Sequence, residues 1–538
     1  MSVLAWTTVS RLSGFVRIAV VAAVLGPTYL GNVFQATNNL PVIAYAALTG
    51  SLFSNLLVPP LVRHVDTGDR AAASRLAGAF LTAALAAFGA VCGLLTLAAP
   101  LILRLLAVGV SDPAAAAAQR RAGLVLLVLF VPQMLMYAVV GTAEAVMNAH
   151  GRFALPAAAP VLENVGIIAT MAVTAFVYGT GDRLAGAGTG LLLLLGIGTT
   201  SAVALHAAVQ WWGARSVGVT LLPRVPWRVP ELRSILRRAV HSLGFSVVDV
   251  VQPLGALIVA NRVPGGVIAF QLAYSLYSLP PAMGTRPVAV ALLPRLARLT
   301  EPPHLGRFRD ELNRGATLVA FLIVPAAVAY LVLHDLLADA VTFGQMAAPP
   351  GQALVAACVA ALAPGLPGYA ALLLSTYACY ARRDARSPLR AALLRAAVAA
   401  AGMGMAMQVS PGAGALLALG LAISAADIAG GTRLAARLRR VLPAASELPL
   451  VRPLLRTLAA SVLMAVPAYL VGVQLPRLVP GGLNAHLPMV AATVTGAAVY
   501  FVLQWWWGSP ELALIRAGLR PGAAPPGAPA SQETKAPW

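Results

Sequence analysis

Apolar residues run along this chain in blocks of roughly twenty, each closed by a short polar or basic interval, from one end to the other. A helix needs about 20 such residues to cross the hydrocarbon core of a bilayer. The blocks predict fourteen membrane helices, at 3–25, 35–60, 77–106, 122–147, 157–178, 186–212, 239–261, 267–293, 315–337, 352–380, 391–409, 413–432, 456–475 and 487–507. Proline and glycine inside several of them are compatible with this, because neighbouring helices satisfy the freed backbone groups. The expected fold class is an all-α polytopic membrane protein. The first block starts two residues in, has no basic leader and carries two arginines, so it reads as a retained helix and not a cleaved signal peptide.

The pattern also repeats at long range. Leu57-Val-Pro-Pro-Leu-Val-Arg63 closes the second block and Leu292-Leu-Pro-Arg-Leu-Ala-Arg298 closes the eighth, which sets Pro294 against Pro59 at an offset of 235. Gly151-Arg-Phe-Ala-Leu-Pro156 parallels Arg383-Asp-Ala-Arg-Ser-Pro388 at an offset of 232. Each landmark has moved by six helices. This predicts two parallel six-helix lobes with a cavity between them near the midplane. The expected division is an N-lobe at 1–212, an interfacial cytoplasmic linker at 213–238 with Trp227 and Leu232, a C-lobe at 239–442, and two extra helices at 443–507. A tail at 508–538, rich in Pro, Gly and Ala, is expected to be cytoplasmic and largely disordered.

Composition agrees. Of 538 residues, 59% are hydrophobic and 10% charged, with mean hydropathy +0.81, whereas soluble domains carry about 25% charged residues. The net charge of +20 invites a nucleic-acid reading, but its placement excludes it. With both termini on one side, the loops and tail of that side hold 28 of the 38 Lys and Arg residues, and the opposite loops hold five. That asymmetry is the positive-inside rule, so both termini are expected in the cytoplasm of a bacterial plasma membrane, with the basic excess facing anionic lipid. Cys92, Cys358 and Cys379 fall inside predicted helices without metal spacing and read as small core residues. No Walker A sequence is present and the seven histidines are scattered, so no enzyme, metal site or cofactor is expected.

Arginine at membrane depth is the informative chemistry. Arg11 and Arg17 lie inside the first block; Arg286 lies in the eighth, beside Pro280, Pro281, Gly284 and Pro287, a pattern that predicts a broken helix lining a cavity. A buried guanidinium costs about 2.5–3.5 kcal/mol even on insertion scales, so it must face water, a partner or an anion. Snorkelling to the interface is the competing account for Arg11. Asp249 and Asp427, on the seventh and twelfth blocks, are candidates for a coupling cation or proton; neutralisation by an arginine, or protonation, is the alternative.

Ser10-Arg-Leu-Ser-Gly-Phe-Val-Arg17, Gly26, Asn39-Leu-Pro41 and Gly50-Ser-Leu-Phe-Ser-Asn-Leu-Leu-Val-Pro-Pro60 together resemble the opening of the MurJ/MviN family of lipid II flippases. The resemblance continues through Asn148-Ala-His-Gly-Arg-Phe-Ala-Leu-Pro-Ala-Ala-Ala-Pro160, Leu292-Leu-Pro294 and Tyr380-Ala-Arg-Arg-Asp-Ala-Arg-Ser-Pro388, nearly the whole chain. It implies a V-shaped transporter of the multidrug/oligosaccharidyl-lipid/polysaccharide exporter superfamily. The cationic cavity would receive the pyrophosphate and sugars of a polyprenyl-linked glycan, and helices thirteen and fourteen would form a groove for its tail. Ser10, Arg11 and Arg17 match the family's first-helix cavity residues, and Asn32, Asn39 and Arg286 complete the expected cavity set. Family charges are replaced at Ile18, Asn32, Tyr45, Ala46, Thr49 or Gly50, and at Ser275 or Leu276. Three readings follow: a lipid II flippase working by alternating access, powered by the membrane potential or a monovalent cation; an exporter of another lipid-linked oligosaccharide or a drug; and a membrane scaffold. Cell-wall synthesis proteins are the implied protein partners.

Overall fold

The computed structural model describes residues 2–49, 57–181, 183, 188–225, 231–232, 250–443, 450–478 and 486–513, and every regular element among them is helical. The first half comprises α1 (Ser2–Leu25), α2 (Tyr29–Thr49), α3 (Val58–Asp66), α4 (Arg70–Leu106), α5 (Pro113–Phe130), α6 (Gln133–Ala149), the single turn α7 (Ala154–Ala158), α8 (Pro160–Tyr178) and α9 (Thr189–Ser216). The second begins with α10, described over Val250–Asn261. It continues with α11 (Gly266–Pro280), α12 (Arg286–Ala297), α13 (Leu305–Val332), α14 (His334–Val341), α15 (Pro349–Leu362), α16 (Gly365–Ala381), α17 (Arg386–Ala406) and α18 (Ala413–Val441). Then come α19 (Val451–Leu478) and α20 (His486–Trp506), packed against each other.

Among the described residues, ten helices are long and apolar enough to cross a bilayer, or eleven counting the α15–α16 pair, which bends by 49°. The other three expected spans fall on α2, α10 and the α11–α12 pair. These are the polar or interrupted ones: α2 carries Asn32, Gln35, Asn38 and Asn39, and α11 passes through a π-helical stretch, Pro281–Thr285, before α12. The expected span at 35–60 is corrected to Tyr29–Thr49, with Val58–Asp66 a separate helix. Its polar residues hid the true start because they face protein partners, not lipid.

The two halves are built by the same local rules. α4 starts at Arg70 and α13 at Leu305, the same offset that relates Pro59 to Pro294. α6 and α16 start at Gln133 and Gly365, the offset that relates Pro156 to Pro388, and each follows a proline, Pro132 and Pro364. Proline cannot donate to the helix ladder, so carbonyls are left at each break. A hydroxyl from the last helix of each half, α9 or α18, takes one up: Thr200 Oγ1 donates to the Leu129 carbonyl at 2.7 Å, and Ser424 Oγ to that of Ala361 at 2.7 Å. α6 and α16 also end alike. Gly151 and Arg383 are left-handed (φ 70° and 57°). The following N–H groups, of Arg152 and Asp384, reach back to the carbonyls of Met147 and Cys379, both at 2.9 Å.

Two prolines inside long helices are handled by tyrosines. Pro280 leaves the Leu276 carbonyl without its partner one turn on, and the Tyr330 hydroxyl donates to it at 3.1 Å. Pro325 does the same to Phe321, whose carbonyl accepts from Tyr500 at 2.8 Å. With no water in the hydrocarbon core, such substitutes are required. After α9 the chain turns back along α4, where the Thr220 and Arg224 N–H groups donate to Ser74 Oγ and Thr82 Oγ1 at 3.2 and 2.8 Å. Leu232 of the expected linker is fully buried, while Trp227 lies outside the described residues, as does the tail beyond residue 513.

The halves interlock at the end of the bundle that carries the α1–α2 turn. Gly265 (φ 73°) donates its N–H to the Thr28 carbonyl at 3.1 Å, and any Cβ there would strike Pro27. Asn261 Nδ2 donates to the Leu106 carbonyl at 2.7 Å and to Gln119 Oε1 at 2.9 Å. Gln345 Nε2 donates to Thr180 Oγ1 at 3.0 Å.

Candidate functional site

Arg11 and Arg17 are six residues apart on α1, which at 3.6 residues per turn turns their side chains about 120° away from each other. They therefore serve different neighbours. Arg11 faces the second half. It lines a cavity of about 80 Å³ with Arg286, Tyr274, Tyr277, Ser278 and Tyr369 among the other walls. Arg286 opens α12 directly after the π-helical stretch, so the predicted helix break is what aims this guanidinium at the cavity. One cation from each half thus meets in one recess.

Arg17 turns instead to its own half, with a guanidinium nitrogen 3.9 Å from Glu163 on α8. Glu163 also accepts from the Tyr137 hydroxyl at 3.0 Å and lies 2.9 Å from His206 Nδ1. The structure does not place Arg17 among the residues of the Arg11–Arg286 recess; its carboxylate partner, Glu163, accounts for an arginine at this depth. Ser10 is half-buried beside it, its carbonyl accepting from Ser13 Oγ at 2.9 Å.

Asn32 departs furthest from expectation. It is 0% exposed, and its amide is spent on the α10–α11 turn: Nδ2 donates to the Val263 carbonyl at 2.7 Å and Oδ1 accepts from the Val267 N–H at 3.0 Å. In this structure it clamps the two halves together and lies away from the recess that Arg11 and Arg286 line. Asn39 also bridges the halves, accepting from Gln271 Nε2 at 3.2 Å. Tyr45, where the resemblance expects a charge, stacks on Phe88 and packs tilted against Tyr137.

Asp427 is not an open cation site. Its carboxylate is almost fully buried and receives Arg395 Nε at 2.6 Å and the Tyr277 hydroxyl at 2.6 Å. Of the two accounts in the sequence, neutralisation by an arginine is the one observed. Arg395 escaped sequence reading because it lies near the start of an expected helix, where arginine reads as interfacial. Depth could have revealed it. Arg395 stands about three turns before the end of α17 and Asp427 about four turns after the start of α18, similar heights in a hairpin. Tyr277 and Tyr369 line the Arg11–Arg286 cavity, and Tyr277 also hydrogen-bonds Asp427 while Arg395 lies 6.0 Å over the Tyr369 ring. The buried pair therefore backs the cavity wall. Asp249 lies outside the described residues. No cluster of metal-ligating side chains occurs among the described residues.

A second, apolar recess of about 210 Å³ opens between α13 and the α19–α20 pair, lined by Phe321, Pro325, Met464, Gly496 and Tyr500 among others.

Two helical repeats around a cationic recess, with an apolar groove alongside, define a membrane transporter. Solved structures agree on the fold. The chain superposes on one described as lipid II flippase MurJ in an inward closed conformation with TM-score 0.72 at 15% identity, covering 95% of this chain and 99% of that one. It matches an inward-facing multidrug resistance MATE family transporter of the MOP superfamily at TM-score 0.60 and 15% identity, over 81% and 95% of the two chains. The family model for lipid II flippase MurJ matches residues 21–488, and the chain belongs to that family. A relative from Rhizobium meliloti (strain 1021), described as a probable lipid II flippase MurJ, is 25% identical over 535 residues, 96% of this chain and 94% of its own. Another from Rhizobium tropici, with the same description, is 25% identical over 72% of this chain and 71% of its own.

Proposed function

We propose that this protein is a flippase that carries lipid II, the polyprenyl-pyrophosphate-linked peptidoglycan precursor, from the cytoplasmic to the outer leaflet by alternating access. Family membership supports the activity; the observation that carries the site is the recess shared by Arg11 of one half and Arg286 of the other. Guanidinium pairs with phosphate oxygens bidentately, and a headgroup bridging two halves biases their rocking equilibrium. The apolar groove beside α19 and α20 is the place for the polyprenyl tail, which stays in lipid while the head crosses.

The finer assignments belong to the same proposal. The lobes are 1–212 and 239–442, both termini are cytoplasmic in the bacterial plasma membrane, and the interlocked end faces outward, sealing the cavity from that side. Ser10, Arg11, Asn39 and Arg286 remain the proposed contacts for the head, with Arg17 acting through Glu163. With Asp427 paired to Arg395, the driving force is the membrane potential, or a cation held elsewhere. Cell-wall synthesis proteins are the proposed protein partners. A second reading, export of a different polyprenyl-linked oligosaccharide, is favoured by Asn32 and Tyr45, uncharged and packed where the family resemblance expects charge.

Complementation decides between the readings. Expression should restore growth, and outer-leaflet exposure of lipid II, in cells depleted of their own lipid II flippase. Abundant, correctly inserted protein that fails to restore exposure would reject lipid II as cargo.

A further inference from the structure

A second basic recess lies on the outside of the α17–α18 hairpin, away from the central cavity. Its volume is about 580 Å³, and its walls include Arg390 and Leu394 of α17 and Ala429, Arg433, Arg437 and Arg440 of α18. On α18 the three arginines fall at i, i+4 and i+7, one helical face. Like charges at that spacing destabilise a helix unless something opposes them. None of the four arginines has an ion pair or side-chain hydrogen bond among the described residues. The carboxylate near Arg437, Asp384, is committed to the start of α17, accepting from Ser387 Oγ at 2.6 Å and from the N–H groups of Ser387 and Arg386 at 3.0 and 3.1 Å. Among the described residues, the recess therefore carries four positive charges with no anion bonded to them.

Its surroundings decide the class of anion. Leu421 and Ile428 on α18 are 46% and 38% exposed and share a helical face with Thr432, another wall of the recess. Leu393 on α17 is 50% exposed. An outward apolar stripe thus leads straight up to the basic group, which is the layout a lipid requires: acyl chains against leucine and isoleucine, a phosphate among arginines. A soluble phosphate would need the arginines alone. Basic pockets between membrane helices at the cytoplasmic interface take anionic headgroups on these grounds.

We propose that this recess binds the phosphodiester headgroup of an anionic glycerophospholipid. The same hairpin holds Arg395 and Asp427, five residues after Arg390 and six before Arg433, so the bound lipid braces the helix pair that backs the central cavity. The leaflet that supplies the lipid rests on the orientation proposed above; binding itself does not, and neither depends on which glycan is carried.

The test is lipid retention by the full chain purified in mild detergent, read by native mass spectrometry with phosphatidylglycerol, phosphatidylcholine and inorganic phosphate as probes. Phosphatidylglycerol should be retained over phosphatidylcholine. Arg433→Gln/Arg437→Gln should weaken that retention about thirtyfold, from two lost charge contacts near a membrane surface. Arg390→Gln, on the other helix, should weaken it several-fold. Arg439→Gln, on α18 but outside the recess, should leave it unchanged. Equal retention by the double variant, or an equal loss in Arg439→Gln, overturns the site. Displacement of the lipid by millimolar inorganic phosphate would make it a free-anion site and overturn the lipid assignment.

Discussion

At the scale of single residues, position around a helix decides what a charge does. Arg11 and Arg17 belong to one apolar block, yet only Arg11 reaches the cavity shared with Arg286. Charge-assisted hydrogen bonds contribute about 1.5–3 kcal/mol each, so Arg11→Ala and Arg286→Ala should each slow lipid II flipping at least tenfold in reconstituted vesicles. The double variant should be little slower than either single one, because both contact one headgroup. Additive losses would place the two arginines on separate steps. Arg395 tests the opposite role. Removing it strands the buried Asp427 carboxylate, which should cost about 3–5 kcal/mol and lower the unfolding midpoint in detergent. Arg395→Ala/Asp427→Asn should recover much of that loss, and a double variant as unstable as Arg395→Ala would mean the arginine acts by packing. Arg11, Arg17 and Arg286 announce themselves in the sequence, mid-block among apolar residues, but partners do not. Glu163 sits seven helices along the chain from Arg17, and Asp427 on the helix after that of Arg395, and only packing brings each pair together. Asn32 misleads for the same reason: a polar residue in an apolar block looks like a ligand contact whether it meets a ligand or a backbone turn.

At the scale of elements, the long apolar helices were legible because periodicity and length suffice to mark them, whereas α2 and the α11–α12 pair were blurred by the polar and proline residues that give them their role. The breaks at Pro132, Pro280, Pro325 and Pro364 are each matched by a hydroxyl from another helix. Tyr330→Phe leaves the Leu276 carbonyl unpaired at the Pro280 break, and Tyr500→Phe does the same to Phe321. Each change deletes one oxygen and should cost about 1–3 kcal/mol, the penalty of a buried acceptor left unsatisfied. Thermal unfolding in detergent measures it. The two variants should part in activity: Tyr330 braces α11, which leads through the π-helical stretch to Arg286, so Tyr330→Phe should also slow flipping, while Tyr500→Phe should chiefly loosen the contact of α13 with α20. Equal effects on flipping would detach the π-helical break from the positioning of Arg286.

At the scale of the whole molecule, the two long-range offsets in the sequence recur in the helix starts, α4 against α13 and α6 against α16, because repetition is written in the order of residues. The interlocked end was not, since its bonds join backbone groups and amides far apart in sequence. Orientation is open to direct measurement. Cysteines introduced at Asp112 or Asp182 should react with an impermeant thiol reagent from outside the cell, and cysteines at Gly68 or Gly306 should not; reversed labelling would invert the cavity's direction. Alternating access then makes a sharper demand on the same face. If the interlocked end is the outer gate, it must part on every cycle to release the headgroup. Gln345 and Thr180 meet across it, with 3.0 Å between their side-chain polar atoms. Cysteines at both positions, joined by a short bifunctional thiol reagent, should hold the halves together and stop lipid II from reaching the outer leaflet. Either single cysteine treated alike should flip normally, and a cleavable cross-linker should return activity to the pair once reduced. Undiminished flipping with the cross-link complete would show that the halves need not separate there, and the headgroup would have to leave by another route.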